Sequence, residues 1–302
     1  SGLFLLGLCF LYDLTGHLLM PNIQQSVAEI MAAGTYRIPM TITIGLITVG
    51  LAIKSALFPF HAWLPDAYGY STVSSAAMLS SLVSKGYLFL LIKIFYRVIG
   101  FDIISSSNIL NVLYVFGLCG MIFGSLSAIW EKDIRRMISF SSVAQIGYIY
   151  MGLGLGTTEG VVASLFHIMA HAATKSLLFI SAIGLTDVSG GSRSFFELNG
   201  AGYRNKIAGI GFTVGSLAMV GIPTFAGFVS KVLFAEAAVL HPDMKMIPTL
   251  IVLAVSTILN AIYFLKTVVR IYVPEKRSVE KKKGYFTVRA GQQKLYTLTI
   301  AL

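Results

Sequence analysis

The chain has 302 residues, of which 56% are hydrophobic and only 12% are charged, and its mean hydropathy is +0.79. Soluble domains carry roughly 25% charged residues. This composition excludes a disordered chain, and it argues against a soluble enzyme because too little polar surface exists to cover so apolar a core. We therefore predict an all-α fold, a polytopic transmembrane helix bundle.

Eight apolar stretches are long enough to cross a bilayer as helices, and the connections between them are short. The runs are too long for strands and lack period-2 alternation. The predicted spans are Gly2–Met20, Thr41–Leu64, Val73–Ile99, Leu110–Trp130, Met137–Leu155, Val161–Leu185, Ala208–Ala238 and Ile247–Val273, and a ninth starts near Leu295. Both ends of the chain lie within apolar sequence. We expect a fragment, truncated at both ends, that forms a single transmembrane domain over residues 1–302.

The basic residues of the connections lie mostly on one side of the membrane. The first side carries three, Arg37, Arg97 and Lys245. The other side carries fourteen: Lys132, Arg135, Arg136, Arg193, Arg204, Lys206, Arg270, Lys276, Arg277, Lys281, Lys282, Lys283, Arg289 and Lys294. The positive-inside rule makes this second side cytoplasmic in a plasma membrane. This asymmetry explains most of the net charge of +10. We interpret residues 274–294 as a solvated basic cytoplasmic loop, in preference to a lipid or nucleic-acid site.

Lysines inside the predicted spans are the main functional candidates, because a lysine at a helix centre costs roughly 2.5–3.5 kcal/mol on insertion scales. They are Lys54, Lys85, Lys93, Lys175, Lys231 and Lys266. Lys93 and Lys266 lie near span ends, where a long side chain can reach the interface. Two acids, Asp13 and Glu236, also fall within spans. Lys54, Lys85 and Lys231 lie too deep to reach the interface, and we predict a functional role for them.

Two of these lysines stand beside predicted helix breaks. Pro59 follows Lys54, and Pro223 and Gly227 precede Lys231. Proline removes a backbone hydrogen bond and displaces a carbonyl, so each span should be interrupted there. The two spans lie five apart and cross the membrane in opposite directions. Paired breaks of this kind indicate an inverted repeat around a midplane ion site. The alternative is a fixed ion pair that only locks helices together.

A third group of candidates shares one helix face. His167, His171 and Lys175 follow one another at intervals of four residues, which places them on one stripe of a helix. Imidazoles can accept and donate protons near physiological pH, so this stripe predicts a proton relay. A metal site is disfavoured because two histidines lack a carboxylate or third ligand. Cys9 and Cys119 lie in apolar runs without metal-ligand spacing. We predict no metal, no cofactor and no redox chemistry in this chain.

Four segments resemble the antiporter-like membrane subunits shared by respiratory complex I (NADH-quinone oxidoreductase), Mrp-type cation/proton antiporters and membrane-bound hydrogenases. They are Ala52–Ala67, Trp130–Ser142, Leu165–Phe179 and Gly221–Lys231. The resemblance implies that Lys54 and Lys85 belong to a first half-channel, of which residues 1–99 form only the end. It implies that His167 and His171 connect the two halves. Lys231 is then the terminal lysine of a second half-channel (residues 110–273), and Lys175 matches a lysine that only some members carry.

The family pairs its first lysine with a glutamate on the preceding helix, which we expect upstream of Ser1. One complex I subunit has a glutamate where this chain has Lys231, so that subunit type is disfavoured. The segment Ser192–Gly202 is closer to Mrp D-type or hydrogenase-type members.

The function implied is translocation of protons, with Na+ as an alternative cargo, by a multi-pass membrane subunit of a larger complex. Any electron transfer would lie in partner subunits, and no nucleic-acid partner is expected. Two rivals remain: an antiporter without a redox partner, and a structural membrane spacer whose buried charges only hold helices together. A membrane enzyme with its own active site is disfavoured, because the loops lack a catalytic triad or carboxylate pair and His61 alone suits a capping role.

Overall fold

The computed structural model describes residues 2–240 and 244–274, together with Ile300. Within these residues the chain is a bundle of helices, and pairing between extended residues is limited to one isolated bridge between Asp133 and Ser194. The helices are α1 (Gly2–Thr15), α2 (Met20–Ala33), α3 (Arg37–Ser55), α4 (Trp63–Tyr70), α5 (Val73–Met78), α6 (Ser84–Ile94), α7 (Phe101–Ser105), α8 (Ile109–Trp130), α9 (Ile134–Gly154), α10 (Thr158–Asp187), α11 (Ala201–Arg204), α12 (Lys206–Val220), α13 (Ala226–Leu240) and α14 (Met246–Tyr272).

In the described part of the chain, five helical segments are long and apolar enough to cross a membrane: α3, the continuous helix Ser74–Ile99, α8, α10 and α14. A sixth crossing results if α1 and α2 count as one span, although they are bent by 71°. The predicted all-α membrane bundle is therefore confirmed. The segment Ser74–Ile99 includes two π-helical turns, Leu79–Val83 and Phe95–Ile99, which the sequence pattern did not predict.

The first predicted span extends too far at its C-terminal end. Gly2–Met20 was expected as one helix, but α1 ends at Thr15 and a second helix, α2, begins at Met20. Pro21 stands in the first turn of α2, where its missing N–H costs nothing. A left-handed Gly34 ends α2. The segment expected as a plain connection after Met20 is thus a helix.

Helix α9 differs from the apolar spans because it lies at the centre of the bundle. It has 21 residues, nearly all of them buried, and three are serines. A helix enclosed by protein on all sides can carry polar groups that lipid would not tolerate. Its backbone lies close to α8: a Cβ on Gly147 would lie 2.6 Å from the carbonyl oxygen of Gly117. Glycine at this crossing lets the two helices approach each other.

The first predicted break is present between α3 and α4. Helix α3 ends at Ser55 because Ala56 adopts the left-handed conformation, with φ 61°. The N–H groups of Ala56 and Leu57 donate back to the carbonyls of Ile53 and Ala52, which is a Schellman ending. Pro59 lies within the interruption, after a cis peptide bond. Because the left-handed residue is Ala56, α3 ends three residues before Pro59 and not at the proline itself.

The second predicted break divides Ala208–Ala238 into α12 and α13, each of 15 residues. Helix α12 ends at a left-handed Gly221, with φ 85°, and Pro223 lies in the interruption. Gly227 lies in the first turn of α13, where a Cβ would overlap the carbonyl oxygen of Ala218. Gly227 thus lets the start of α13 pack directly on the last turns of α12.

Three arginines tie the first broken helix to the second half of the bundle. Arg193 donates to the carbonyl of Gly69 at 2.7 Å, and Arg135 donates to two carbonyls at the same C-terminal end of α4. Arg136 forms an ion pair with Asp66 on α4. Cations at a helix C-terminus compensate its partial negative charge, so these contacts fix α4 against the start of α9.

Part of the predicted cytoplasmic side lies outside the described residues. This applies to the basic loop 274–294 beyond its first residue and to the start of the ninth span near Leu295.

Candidate functional site

The histidine stripe forms one buried face of α10. His167, His171 and Lys175 are at most 3% exposed. The two imidazole rings are stacked with centroids 5.9 Å apart. This is the arrangement expected for residues four apart on a helix, and α10 presents all three toward the interior of the bundle.

Lys175 is held by neutral oxygen atoms of α9. Its Nζ donates to the carbonyl oxygen of Ile138 at 2.7 Å and to the hydroxyl of Ser141. The ion pairs of Arg136 and Arg193 lie near the ends of α4 and α9 and do not include this lysine. Its amine therefore has hydrogen-bond acceptors but lacks a described carboxylate to keep it charged.

Lys231 reaches back across the second break. Its Nζ donates to the carbonyl oxygen of Val220 at 2.6 Å, at the C-terminal end of α12. The ammonium also lies 5.8 Å from the centre of the Tyr148 ring. A Cβ on Gly221 would come within 3.2 Å of Nζ. The interruption thus supplies both the acceptors and the space that this amine requires.

A narrow cavity joins Lys231 to the histidines. Its lining includes Gln145, His167, His171 and Lys231, and it offers about 10 Å³ to the centre of a water molecule. A polar site of this volume accommodates about one water. The described part of the chain provides no hydrogen-bond partner for Gln145 Nε2, for His167 Nε2 or for either ring nitrogen of His171. Buried polar atoms are normally satisfied by protein or water, so a water here would bridge the groups.

The proton position on His167 follows from its hydrogen bonds. Its Nδ1 lies 3.0 Å from the hydroxyl of Ser230, and that hydroxyl donates to the carbonyl oxygen of Gly227. The hydrogen-bond network therefore assigns the proton to Nδ1. The other nitrogen, Nε2, is then an acceptor that can take up a proton from the cavity.

Lys85 enters the same group from the neighbouring helix. It is 3% exposed, and its Nζ donates to the carbonyl of Ser80 and to the hydroxyl of Ser84. Ser80 belongs to the π-helical turn Leu79–Val83, whose wider winding presents carbonyls differently from an α-helix. The π-helical turn packs against α10, the helix that carries His171 and Lys175. Lys85 therefore lies on the segment next to the histidine stripe.

Lys54 is the least enclosed of the predicted site residues. It is only partly buried, and its Nζ lies 5.8 Å from the centre of the Tyr87 ring. In the part of the chain that the structure describes, it makes no ion pair and no side-chain hydrogen bond. The structure thus buries Lys85, Lys175, the two histidines and Lys231, whereas Lys54 lies outside this group.

Several polar residues of the site were missed from sequence. They supply acceptors or line the cavity, and they are Ser80, Ser141, Gln145, Tyr148 and Ser230. Gln145 and the serines of α9 stand within an apolar run, and that signal could have pointed to them. Among the described residues, no three His, Cys, Asp or Glu side chains lie close enough together to hold a metal ion.

A family model described as "NADH:quinone oxidoreductase/Mrp antiporter, TM" matches residues 1–259. One relative is the NADH-quinone oxidoreductase subunit N of Desulforudis audaxviator (strain MP104C), which is 32% identical over 273 residues. The alignment covers 89% of this chain and 52% of that protein. The chain spans about half the length of this relative.

Two solved structures are also similar to the chain. The Mrp complex from Dietzia sp. DQ12-45-1b contains a chain with a TM-score of 0.80 and 29% identity, covering 91% of this chain and 48% of that one. An archaeal membrane-bound sulfane sulfur reductase contains one with a TM-score of 0.79 and 28% identity, covering 99% and 59%. The resemblance predicted from four short segments is confirmed by these comparisons, which extend over nearly the whole chain.

Proposed function

The chain belongs to the NADH:quinone oxidoreductase/Mrp antiporter transmembrane family, and we propose that it translocates protons across the plasma membrane through its buried lysines and histidines. One observation carries this proposal: Lys85, Lys175, His171, His167 and Lys231 form a buried group whose hydrogen-bond acceptors are neutral. Ionisable residues at such depth are costly to insert and are retained for a function.

The order of transfer follows the contacts. Ser80 accepts from Lys85 through its carbonyl, and its hydroxyl lies 3.5 Å from that of Ser142 on α9. The neighbouring Ser141 accepts from Lys175. From Lys175 a proton passes to His171, one turn away on the same stripe. His167 and the cavity then connect to Lys231. Amines and imidazoles carry protons by gaining and losing them in turn.

Protons suit this site better than Na+ does. Its members are cationic or neutral bases, which repel a metal cation when protonated. Sodium sites use oxygen ligands, and carboxylates are the strongest of these in proteins. The described carboxylates nearest the stripe in sequence, Glu159 and Asp187, lie at the two ends of α10. We keep Na+ as the alternative cargo to be tested.

The two breaks support an inverted repeat with a first half-channel ending within residues 1–99 and a second within 110–273. Lys54 lies just before its break, whereas Lys231 lies after its own. The two broken spans lie five apart and should cross the membrane in opposite directions, which is the arrangement expected for an inverted repeat. We assign Lys54 to the entry of the first half-channel.

We further propose that the chain works with other membrane subunits and that any redox chemistry lies in those partners. The relatives named above belong to such complexes. The basic connections after α8 and α10 support a cytoplasmic position for that side, by the positive-inside rule. Membership of the D-type Mrp or hydrogenase-type subgroup remains a prediction from the segment Ser192–Gly202.

The decisive experiment replaces Lys231 by alanine in the intact complex and measures proton uptake into inside-out vesicles per assembled complex. We expect a loss of about tenfold or more, because one transfer step is removed. Lys93→Ala is the matched control, since Lys93 lies in a membrane span but is exposed. Normal uptake by the Lys231→Ala variant contradicts the proposal.

The same measurement separates the rivals. A structural spacer predicts that Lys231→Ala lowers the amount of assembled complex while each assembled copy works normally. An antiporter without a redox partner predicts proton movement driven by an imposed Na+ or K+ gradient in the absence of any electron donor. A redox-driven subunit predicts no such movement until the electron donor is added.

A further inference from the structure

Gln145 of α9 is buried in the middle of the bundle, and the order of transfer proposed above gives it no role. Its side chain is 1% exposed, and its Nε2 has no hydrogen-bond partner in the part of the chain that is described. Burying an amide N–H without a partner costs free energy, so a glutamine at such a position calls for an explanation.

The surroundings of Gln145 are fixed by the way α9 runs alongside α10. The two helices are joined by three residues and pack against each other in opposite directions. Toward one end, Ser141 of α9 accepts from the Nζ of Lys175. Toward the other end, the ring of Tyr148 stacks on that of His167, with centroids 5.5 Å apart. These two contacts set the register between the helices.

Gln145 lies between the two contacts on the same face of α9. It follows Ser141 by four residues and precedes Tyr148 by three, which is the spacing of one helix face. On α10 the residue between the same two contacts is His171. The register therefore sets Gln145 opposite His171, and both line the same narrow cavity.

This cavity is bordered by polar atoms that have no partner among the described residues. Besides the amide nitrogen of Gln145, they are Nε2 of His167 and both ring nitrogens of His171. The cavity offers about 10 Å³ to the centre of a water molecule, which is enough for one water. An amide has an N–H donor and a carbonyl acceptor but no proton to exchange, so it can orient a water without passing a proton on.

We propose that Gln145 is a positioning residue, whose amide N–H holds one water in this cavity with the hydrogens of that water directed at the bases around it. When Nε2 of a protonated His167 gives its proton to this water, the water gives one of its own to the neutral amine of Lys231. The water is regenerated, and the amide is unchanged. The inference rests on the proposed proton function.

A neutral amide suits this position better than a carboxylate. The titratable side chains that line the cavity are His167, His171 and Lys231, and Lys175 lies one turn further along the same stripe. All four are bases. A carboxylate among them would form an ion pair with the ammonium of Lys231 and hold the proton there. The amide orients the water without competing for the proton.

The test compares two substitutions that keep the length of the side chain. Gln145→Met removes both polar groups, whereas Gln145→Glu keeps an oxygen acceptor and adds a charge. Gln25→Met is the matched control, since Gln25 is an exposed glutamine of α2 that bonds to Glu29 on its own helix. Proton uptake into inside-out vesicles is measured per assembled complex over a range of pH. Each rate is divided by that of the unsubstituted protein at the same pH.

We expect Gln145→Met to lower uptake about fivefold at every pH, which is the effect of one lost hydrogen bond in the transfer step. Gln145→Glu should lower uptake further at neutral pH, because its carboxylate holds Lys231 as the ammonium. Its relative rate should rise as the pH falls, since a protonated carboxyl is neutral and again offers a donor. Gln25→Met should leave uptake unchanged.

Two results overturn the proposal. One is normal uptake by Gln145→Met, and the other is the same pH profile for Gln145→Met and Gln145→Glu, which would mean that only the shape of the side chain matters. If Gln145→Met does not assemble, Gln145→Glu keeps the test decisive, because normal uptake by that variant at every pH also overturns the proposal.

The water itself can be observed. A cryo-EM map of the complex at water-resolving quality should show density within hydrogen-bonding distance of Gln145 Nε2 and of an imidazole nitrogen, and its absence overturns the proposal. If Gln145→Met instead removes a dependence of transport on Na+, the amide oxygen binds a cation and the proposal is wrong. Failure of this inference is distinct from failure of the proposed function: Lys231→Ala would still stop uptake while Gln145→Met works normally.

Discussion

At the first break the carbonyl of Ile53 accepts from the indole N–H of Trp63 at 3.1 Å, whereas at the second the carbonyl of Val220 accepts from the ammonium of Lys231. Both are carbonyls at the C-terminal end of a helix, beyond its regular i to i+4 hydrogen bonds, although the Ile53 carbonyl also accepts from the N–H of Ala56. The first break therefore satisfies its carbonyls with a neutral donor, and the second uses its own lysine.

This difference explains the different burial of the two lysines. The partial negative charge of a helix C-terminus stabilises a cation placed against it, so Lys231 can be buried without a carboxylate. Lys54 makes no such contact among the described residues, and the Ile53 carbonyl accepts from Ala56 and Trp63 instead. Among the described residues, the contact that Lys54 makes is with the ring of Tyr87, at 5.8 Å from its centre.

The largest effect is expected from Gly227→Ala. Its Cβ would overlap the carbonyl oxygen of Ala218, so α13 must move away from α12 and the second break loses its geometry. Overpacking of this kind costs about 1–3 kcal/mol or more. We expect a lower thermal midpoint of the purified complex and little proton uptake. Gly45→Ala in α3 is the control, because a Cβ there meets nothing within 4 Å, and it should leave both quantities unchanged or improved.

A smaller loss of stability and of proton uptake is expected from Gly221→Ala. The left-handed backbone costs about 1–2 kcal/mol for a residue with a Cβ, and that Cβ would lie 3.2 Å from the Nζ of Lys231. Proton uptake should fall together with stability. Gly190→Ala carries the same backbone strain, at φ 68°, but meets nothing within 4 Å. Equal effects of both variants on uptake would mean that contact with the lysine is irrelevant.

Trp63→Phe tests the neutral donor at the first break. Its loss leaves the Ile53 carbonyl without the indole N–H, at a cost of about 1 kcal/mol. The ammonium of Lys54 should then be drawn toward that carbonyl, so proton uptake should fall modestly. The comparison variant is Trp130→Phe, since Trp130 is 75% exposed. An unchanged uptake rate in Trp63→Phe would mean that the hydrogen bond between Trp63 and the end of α3 has no influence on Lys54.

The smallest expected effect is a gain in stability, from Ala56→Gly. Ala56 holds the left-handed position that glycine holds at the second break, so Ala56→Gly should relieve strain and stabilise the protein by up to about 1 kcal/mol. The thermal midpoint should rise slightly while proton uptake stays the same. A lower midpoint would mean that packing of the buried Ala56 methyl group outweighs the backbone strain.

The sequence was informative about which groups are buried and where the helices are interrupted. Lysine in an apolar run, followed or preceded by proline, predicts both a break and a function from elementary costs of burial. The residue that ends each helix was harder to predict. Gly221 is an ordinary helix-ending glycine, but an alanine at position 56 gives no local signal for a left-handed backbone, and only the surrounding tertiary structure can hold it there.

The acceptors of the buried amines could not be predicted, because they are supplied by tertiary contacts. Lys175 and Ile138 are 37 residues apart in sequence, and no periodicity relates them. Helix α2 was missed for a different reason. Its run Met20–Ala33 mixes apolar residues with glutamines and a glutamate, so a search for continuous apolar spans passed over it.

The π-helical turn Leu79–Val83 holds one residue more than an α-helical turn would need. Such a turn accommodates an insertion without rotating the segments on either side of it. Deleting Leu82, whose side chain is 61% exposed, would therefore leave the amine of Lys85 facing α10. It would also change the direction of the Ser80 carbonyl, which accepts from that amine. Length variation of one residue at this point would thus change what the amine binds while leaving its location unchanged.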